Sequence, residues 1–192
     1  MLVTNIQEMG RLSRTREALL RAALELFDER GYEATTAAAI ASRAGVSEMT
    51  FFRHLASKDA VLVDDPYDPL IEEAVGRQPP ELAPLAATVA GVREAWRAVS
   101  APAGAEVRDR LRIVSRTPSL HGALARNSGE TIDAIVGALQ SRGVRQRDAR
   151  IAAAATIGAL NAALLEWADG DDPDLGSAID AALRVLACGD AQ

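Results

Sequence analysis

The chain has 192 residues, of which 48% are hydrophobic and 25% charged, a balance typical of a globular protein with a substantial core. It contains a single cysteine, so an intramolecular disulfide and a cysteine-cluster metal site are both excluded. Its net charge is −6 and aromatic residues make up only 4%; with no alternating valine-rich segments between turn signals, we expect an all-α protein.

The chain is expected to begin with a loose arm over residues 1–12, followed by a first helix from about Ser13 to Arg30. Apolar residues recur along this helix at the spacing of one buried face. They are Leu19, Ala22, Ala23, Leu26 and Phe27. Arg30 suits the negative end of the helix dipole, and Gly31 is predicted to end the helix.

Two short helices at a tight turn come next. Thr36 is predicted to cap a helix over Ala37–Ala44, and Ser47 a second one over Glu48–Leu55. Gly45 stands between them, where a left-handed conformation costs least. A second helix of this kind, with an exposed N-terminal face, is typical of the helix-turn-helix, in which it enters the DNA major groove. An ordinary corner between two helices has the same outline.

The residues around this turn carry a more specific pattern. They are Leu26-Phe27, Gly31-Tyr32, Thr35-Thr36, Ile40-Ala41, Ala44-Gly45-Val46-Ser47, Thr50-Phe51-Phe52-Arg53-His54-Leu55 and Ser57-Lys58. At this spacing they resemble the DNA-binding domain of the TetR (tetracycline-repressor) family of transcriptional regulators, over roughly the first third of the chain. Two positions depart from the family pattern: Phe52 stands where tyrosine is usual, and Leu55 replaces the usual phenylalanine.

The resemblance implies an all-α homodimer with an N-terminal helix-turn-helix domain and a C-terminal helical domain for ligand binding and dimerisation. We expect these domains at residues 1–60 and 61–192. The implied partners are a double-stranded DNA operator and an unknown small-molecule effector, which would release a repressor from its operator. The alternatives are a ligand-independent DNA-binding protein of helical fold and a structural or interaction protein.

The resemblance also implies DNA-binding roles for individual residues. Those expected at phosphates are Arg16, Thr36, Ser47, His54 and Lys58, and those expected at bases or the groove wall are Glu48, Met49, Thr50 and Arg53. Phe52 would pack on a sugar or a thymine methyl. Glu48 has two interpretations, because its carboxylate could accept from cytosine N4 or only favour the start of its helix.

Charge is distributed unevenly along the chain. Residues 11–58 carry eight basic and six acidic side chains, whereas residues 59–192 carry 13 basic and 20 acidic ones. A mildly basic head on an acidic body suits an anion-binding domain. Because the excess of positive charge is small, we expect DNA affinity to need two copies of the head.

The rest of the chain is predicted to form further helices separated by proline and glycine. A fourth helix over Ser57–Val63 is expected to break between Asp64 and Pro69, a segment we consider a candidate signal transmitter. The chain should then continue as helices over about 69–77, 81–99, 105–116, 117–143, 146–168 and 173–188. A weak point is expected at residues 127–129. Arg108, Arg110, Arg112 and Arg116 are expected on a solvated face, and the alternative is a patch for an anionic ligand.

Two sets of residues in these helices are candidates for further sites. Small side chains in the penultimate helix would let another helix approach closely, and the resemblance implies a four-helix dimer interface there. The interface candidates are Ala155, Gly158, Ala159, Ala162, Ile179, Leu183 and Leu186. The candidates for lining a ligand pocket are Leu70, Ile71, Trp96, Leu111, Leu124 and Trp167.

Other classes of function have little support. The sequence lacks a phosphate-binding glycine loop and a nucleophile with a plausible partner, so we expect no enzymatic activity and no cofactor. His121 stands alone, and the acidic stretch at residues 169–174 lacks the closing glutamate of a calcium loop, so no metal site is expected. Without a signal peptide or an apolar run of membrane-spanning length, a cytoplasmic protein that does not contact the membrane is expected.

Overall fold

The protein is helical throughout the part of the chain that its computed structural model describes, which is residues 2–64, 68–98, 104–172 and 174–187, with side chains described from residue 14 and not at 104–106. Ten α-helices and one 3-10 turn occur in these ranges, which confirms the predicted all-α class. They are α1 Leu2–Arg30, α2 Ala37–Arg43, α3 Glu48–His54, α4 Ala60–Val63, α5 Asp68–Gly76, α6 Pro84–Ala98, α7 Gly104–Arg116, the 3-10 turn Pro118–Leu120, α8 His121–Ser141, α9 Gln146–Asp169 and α10 Leu175–Ala187.

The first hydrophobic core joins the N-terminal helices to the beginning of the body. Leu19, Leu26, Ile40 and Phe51 are the largest of its residues from α1 to α3 that are at most 1% exposed. The same core contains buried residues of α4, α7, the 3-10 turn and α8, namely Val61, Leu62, Val114, Leu120 and Ala123. The predicted domain division after residue 60 therefore stays a prediction, because this core includes residues from both sides of it.

The second hydrophobic core lies inside a bundle of helices around α9. This helix contacts α6, α7, α8 and α10, and α5 packs against α6 and α8. By length and composition alone α9 is apolar enough to cross a membrane. Here its inner face, which includes Ala153, Ile157 and Leu160, packs into the bundle, as in the central helix of a globular domain.

Two helices differ from their predicted form. The helix α1 begins at Leu2, so the expected loose arm over residues 1–12 is wrong. Those residues include no proline, and nothing stops the helix from extending toward the N-terminus. The helix α8 also runs unbroken through the expected weak point, where the Thr131 hydroxyl donates to the Asn127 carbonyl at 3.2 Å and the Asn161 amide donates to Ser128 Oγ at 2.9 Å.

Helix ends follow local signals at some positions and depart from them at others. Ser57 caps α4 by accepting from Ala60 N at 3.2 Å, and the chain leaves the helix at Asp64 in an extended conformation with ψ 128°. The expected proline break at Pro66 lies outside the described residues, as do Pro102, Pro173 and Cys188. Thr117 makes no side-chain capping bond, and Pro118 begins a 3-10 turn instead of an α-helix.

The first turn of α10 is held by Asp174, which stands directly before the helix. Asp174 accepts from Gly176 N at 2.9 Å and from Ser177 Oγ at 2.7 Å. The Ser177 hydrogen bond, followed by the Gly176 amide, holds the pKa of Asp174 below its usual range. Asp172 accepts from Asp174 N at 2.9 Å and forms the turn that precedes the helix.

Three arginines of α7 bind carbonyl groups at the ends of other segments, so their predicted solvated face is wrong. Arg110 Nη2 donates to Leu62 O at 3.1 Å and to Asp64 O at 2.7 Å. Arg112 Nε donates to Ala168 O at 2.6 Å, at the end of α9. Arg108 donates to Asp172 O and lies 4.3 Å from the centre of the Trp167 ring. The last carbonyls of a helix have no intrahelical donor, and these guanidinium groups supply one. Arg116 is exposed, as predicted.

Helices α5 and α6 approach each other closely at Gly91. A Cβ atom added there would lie 2.5 Å from Val75 Cγ2 and 2.7 Å from the Val75 backbone. Gly137 of α8 offers a matched comparison, because it is exposed and a Cβ there would meet nothing within 4 Å.

We predict that Gly91→Ala lowers the free energy of unfolding by about 2 kcal/mol or more, since overpacking forces the two helices apart. Gly137→Ala should raise it by up to about 1 kcal/mol through helix propensity alone. Urea unfolding followed by circular dichroism at one protein concentration measures both. Equal stabilities of the two variants would contradict the α5–α6 contact.

Candidate functional site

The α2–turn–α3 unit is built by two N-caps and one glycine. Thr36 Oγ1 accepts from Ala39 N at 3.1 Å, and Ser47 Oγ accepts from Thr50 N at 3.2 Å. Gly45 has φ +71°, the left-handed conformation that an L side chain rarely adopts. Val46 N donates to Ala41 O at 2.9 Å and closes the turn. The predicted caps and the predicted glycine turn are confirmed.

One side of α3 is fixed in the first core. Phe51 is fully buried, and Leu55, just past the helix, is 1% exposed. The Phe52 ring meets the Phe51 ring edge to face, with centroids 5.2 Å apart. Because Phe51 fixes the rotation of this short helix, the residues on either side of it are directed away from the core.

The outer face of α3 carries large side chains that point away from the core. Met49 is 83% exposed and Phe52 is 52% exposed, and Glu48 and Arg53 are exposed as well. Thr50 is half-buried, with its hydroxyl 2.9 Å from Ser47 Oγ. The structure therefore brings together the five residues predicted to meet bases, sugars or the groove wall. An exposed cluster that includes a methionine and a phenylalanine is typical of a surface that binds a partner.

Arg16 is engaged within the protein instead of facing solvent. Its Nη1 donates to His54 O at 2.9 Å, and its Nη2 lies 3.5 Å from Asp64 Oδ2. The carbonyl of His54 is at the C-terminal end of α3, where a positive charge stabilises the helix. The structure thus gives Arg16 a role in positioning α3, and its predicted contact with a phosphate stays a prediction.

Lys58 is also tied down by its own chain. Its Nζ donates to Tyr32 O at 2.8 Å and lies 3.8 Å from the centre of the Tyr32 ring. The Tyr32 hydroxyl in turn donates to the Asp59 carboxylate. Burial, and then the Asp59 hydrogen bond, raise the pKa of Tyr32 above its usual range. Lys58 therefore secures the Gly31–Tyr32 turn against the start of α4, and its predicted contact with a phosphate stays a prediction.

His54 is half-buried at the end of α3. Burial, followed by the nearby charges of Arg53 and Arg16, lowers the pKa of His54 below its ordinary value of 6.5. This lowering favours the neutral imidazole, which can still donate its N–H group to a phosphate.

Arg43 positions α2 against α1, a role that was not predicted from the sequence. Its guanidinium donates to Glu29 Oε2 at 2.8 Å and to Glu25 Oε2 at 3.2 Å. The Arg43 hydrogen bond is the main cause that lowers the pKa of Glu29. The signal was present in the sequence, since two glutamates four residues apart form one acidic face on a helix.

A second candidate site is a cavity of about 170 Å³ in the body. Its aliphatic walls come from α5, α7, α8 and α9, and its polar lining includes Asn127, Ser128, Thr131 and Asn161. Among the predicted pocket residues, Ile71, Leu111 and Leu124 line this cavity. The other three do not: Leu70 is 42% exposed, Trp96 packs on the second core, and Trp167 is buried beneath Arg108.

The predicted interface residues of α9 and α10 fall into three groups. Ala155, Gly158 and Ala162 are exposed on one side of α9, in line with Ile151, which is 60% exposed. Ala159 and Leu186 are partly buried against the second core. Ile179 and Leu183 are 7% and 0% exposed inside that core, which corrects their assignment to an interface. Val185 of α10 was missed and is 74% exposed.

Family models match both halves of this architecture. A model described as bacterial regulatory proteins of the tetR family matches residues 19–64. A model described as the MftR C-terminal domain matches residues 82–191, more than half of the chain. The chain is also 37% identical over 127 residues to the HTH-type transcriptional regulator TcmR of Streptomyces glaucescens. That match covers 62% of this chain and 56% of the relative, so the chain spans little more than half of the relative's length.

Solved structures share the fold over nearly the whole chain. The repressor SmeT of the Stenotrophomonas maltophilia efflux pump SmeDEF is 22% identical, with a TM-score of 0.56 over 91% of this chain and 89% of that one. NalD of Pseudomonas aeruginosa is 25% identical, with a TM-score of 0.55 over 93% and 97%. FadR of Thermus thermophilus, solved with lauroyl-CoA, is 26% identical, with a TM-score of 0.51 over 92% and 95%.

Proposed function

The chain belongs to the TetR family of bacterial regulatory proteins, and on that premise we propose that it is a DNA-binding transcriptional repressor released from its operator by a small molecule. The observation that carries this proposal is the outer face of α3, where Glu48, Met49, Phe52 and Arg53 are exposed around a helix fixed by Phe51. The relatives support it, since SmeT and NalD are repressors and FadR is a repressor bound to lauroyl-CoA. The proposal assigns the chain no catalytic role and places it in the cytoplasm, where its DNA lies.

In this function α3 is the recognition helix that enters the major groove. Arg53 supplies positive charge to phosphates or guanine, and Met49 and Phe52 supply apolar contact to thymine methyls or sugars. The Glu48 carboxylate accepts a hydrogen bond from cytosine N4. Where no cytosine is present, the DNA phosphates repel its negative charge. Thr36 and Ser47 hold the starts of α2 and α3 at the DNA surface.

The proposed repressor acts as a homodimer through the exposed side of α9 and its neighbour α10. Ala155, Gly158 and Ala162 are small, so the backbone of a second helix can come close to α9 there. Ile151 and Val185 add exposed apolar surface on the same two helices. Two heads related by a two-fold axis would read half-sites about 34–36 Å apart, one turn of DNA.

The proposed effector binds in the cavity lined by Ile71, Leu111 and Leu124. Aliphatic walls favour an apolar molecule, and the neutral polar groups of Asn127, Ser128 and Asn161 favour one with a hydrogen-bonding group. Arg110 at the edge of the cavity already donates to two backbone carbonyls, and Asp64 beside it is negative. This lining favours a neutral ligand over an anion.

We predict that the chain enriches a specific sequence from a randomised duplex library and that Glu48→Ala relaxes its base preference. The loss of discrimination at one base pair should be about tenfold or more, the worth of one good base contact. Fluorescence anisotropy on the enriched duplex and on its single-base variants measures it. Glu130→Ala, which removes an exposed carboxylate from α8, is the control and should keep the preference. If Glu48→Ala keeps the base preference of the wild-type chain, Glu48 serves only to stabilise the start of α3.

We predict that Ala155→Glu converts the dimer to a monomer, because it places a carboxylate in an apolar helix contact without a partner. Ala125→Glu, the same change at an exposed position of α8, should leave the dimer intact. Sedimentation equilibrium gives the mass of each species. A wild-type monomer, or equal masses for the two variants, would contradict this interface.

We predict that 1-octanol raises the melting temperature of the protein more than octanoate does, because the lining offers apolar surface and neutral polar groups. Leu111→Phe fills part of the cavity and should abolish the effect of octanol. Leu70→Phe is the matched control outside the cavity and should retain it. Differential scanning fluorimetry measures these shifts, and a larger shift with octanoate would show that the site selects anions.

A further inference from the structure

The end of α4 is held from two directions. Arg110 of α7 donates to the carbonyls of Leu62 and Asp64, at 3.1 and 2.7 Å. Arg16 of α1 reaches the carboxylate of the same Asp64 at 3.5 Å. Asp64 is therefore contacted by the body through its backbone and by the head through its side chain.

Arg16 extends this connection to the recognition helix. While Nη2 faces Asp64, Nη1 donates to His54 O at 2.9 Å, at the last residue of α3. A carbonyl at this position has no donor within its own helix, so the guanidinium group is its stabilising partner. One planar side chain thus joins the ends of α3 and α4.

At the Arg110 end, these contacts also border the cavity. Arg110, Leu62, Val63 and Asp64 all line the cavity proposed to hold the effector. A molecule in that cavity lies against the guanidinium group that binds the end of α4.

We propose that Arg110, Asp64 and Arg16 form a relay that couples occupancy of the cavity to the position of the recognition helix, with Asp64 as its central positioning residue. This inference rests on the proposed function and names how the same cavity regulates DNA binding. Displacement of the Arg110 guanidinium by a ligand frees the end of α4, Asp64 moves away from Arg16, and α3 loses the support of its terminal carbonyl.

The geometry suits a contact that opens and closes. The side chains of Arg16 and Asp64 are 35% and 39% exposed, so water and salt weaken their attraction. The bonds from arginine to carbonyl groups are shorter, at 2.7 and 2.9 Å, and fix the two ends of the relay. The weakest link therefore lies between head and body, where a small shift separates them. A ligand can shift such an equilibrium only through different affinity for its two states, and its contact with Arg110 supplies that difference.

Hydrogen exchange of the full chain, followed by mass spectrometry without DNA or ligand, tests the relay. Arg110→Ala should speed amide exchange in α4 and also in the last turn of α3, roughly fivefold or more. Asp64→Ala should speed exchange in α3 to a similar extent, and the double variant should add nothing there beyond either single change. Circular dichroism confirms that each variant is folded.

Arg112→Ala provides the matched control from the same helix. Its guanidinium binds Ala168 O and Gly170 O, so this variant should speed exchange at the end of α9 and leave α3 unchanged. Faster exchange in α4 without any change in α3 for Arg110→Ala would overturn the relay, as would additive effects in the double variant.

Anisotropy on the duplex enriched by the wild-type chain separates failure of the relay from failure of the proposed function. Arg110→Ala and Asp64→Ala should weaken DNA binding roughly fivefold or more, while Arg112→Ala should not. If the wild-type chain binds no duplex, the proposed function fails whatever the exchange data show. If it binds and all variants bind equally, the relay is overturned and the repressor assignment stands.

Discussion

The burial of Phe51 is the constraint on which the exposed face of α3 depends. The helix α3 has only seven residues, and a helix of that length is not stable by itself in water. Phe51 in the first core, the Ser47 cap at one end and the Arg16 guanidinium at the other hold it in place. Once Phe51 points inward, helical geometry requires Met49, Phe52 and Arg53 to project elsewhere. The exposure of two large apolar side chains is thus a consequence of how one aromatic ring is buried.

The same core makes the head and the body a coupled unit. Val114 and Leu120, from the beginning of the body, are buried together with residues of α1 to α4. The arginines of α7 add hydrogen bonds to carbonyls at the end of α4 and at the end of α9. Because α7 also lines the cavity, a shift of α7 changes its contacts with α4 and with the bundle around α9. A packed core transmits such shifts because it does not deform continuously.

Local signals allowed the recognition unit to be predicted, because each of them acts within a few residues. The caps at Thr36 and Ser47 and the left-handed Gly45 are sufficient to place α2 and α3 within one residue of their observed ends. The roles of Arg16, Lys58 and Arg110 could not be predicted in this way. Their partners are backbone carbonyls 26 to 48 residues away, and the sequence records no sign of a carbonyl that lacks a donor. Ile179 and Leu183 show the same limit, since their periodicity indicates an apolar face but not which helix covers it.

The internal use of cations changes how DNA recognition must work. Of the eight basic side chains in residues 11–58, Arg16, Arg43 and Lys58 donate to carbonyls or carboxylates of the protein itself. Burial lowers the pKa of His54 and so favours its neutral form. A guanidinium or ammonium group that donates to its own chain keeps its charge, so the long-range attraction to phosphates stays that of a small positive excess. What these contacts reduce is the number of N–H groups free to reach a phosphate oxygen. Close contact of the exposed α3 face with the bases then matters more than the number of basic residues, and an acidic body is compatible with that kind of recognition.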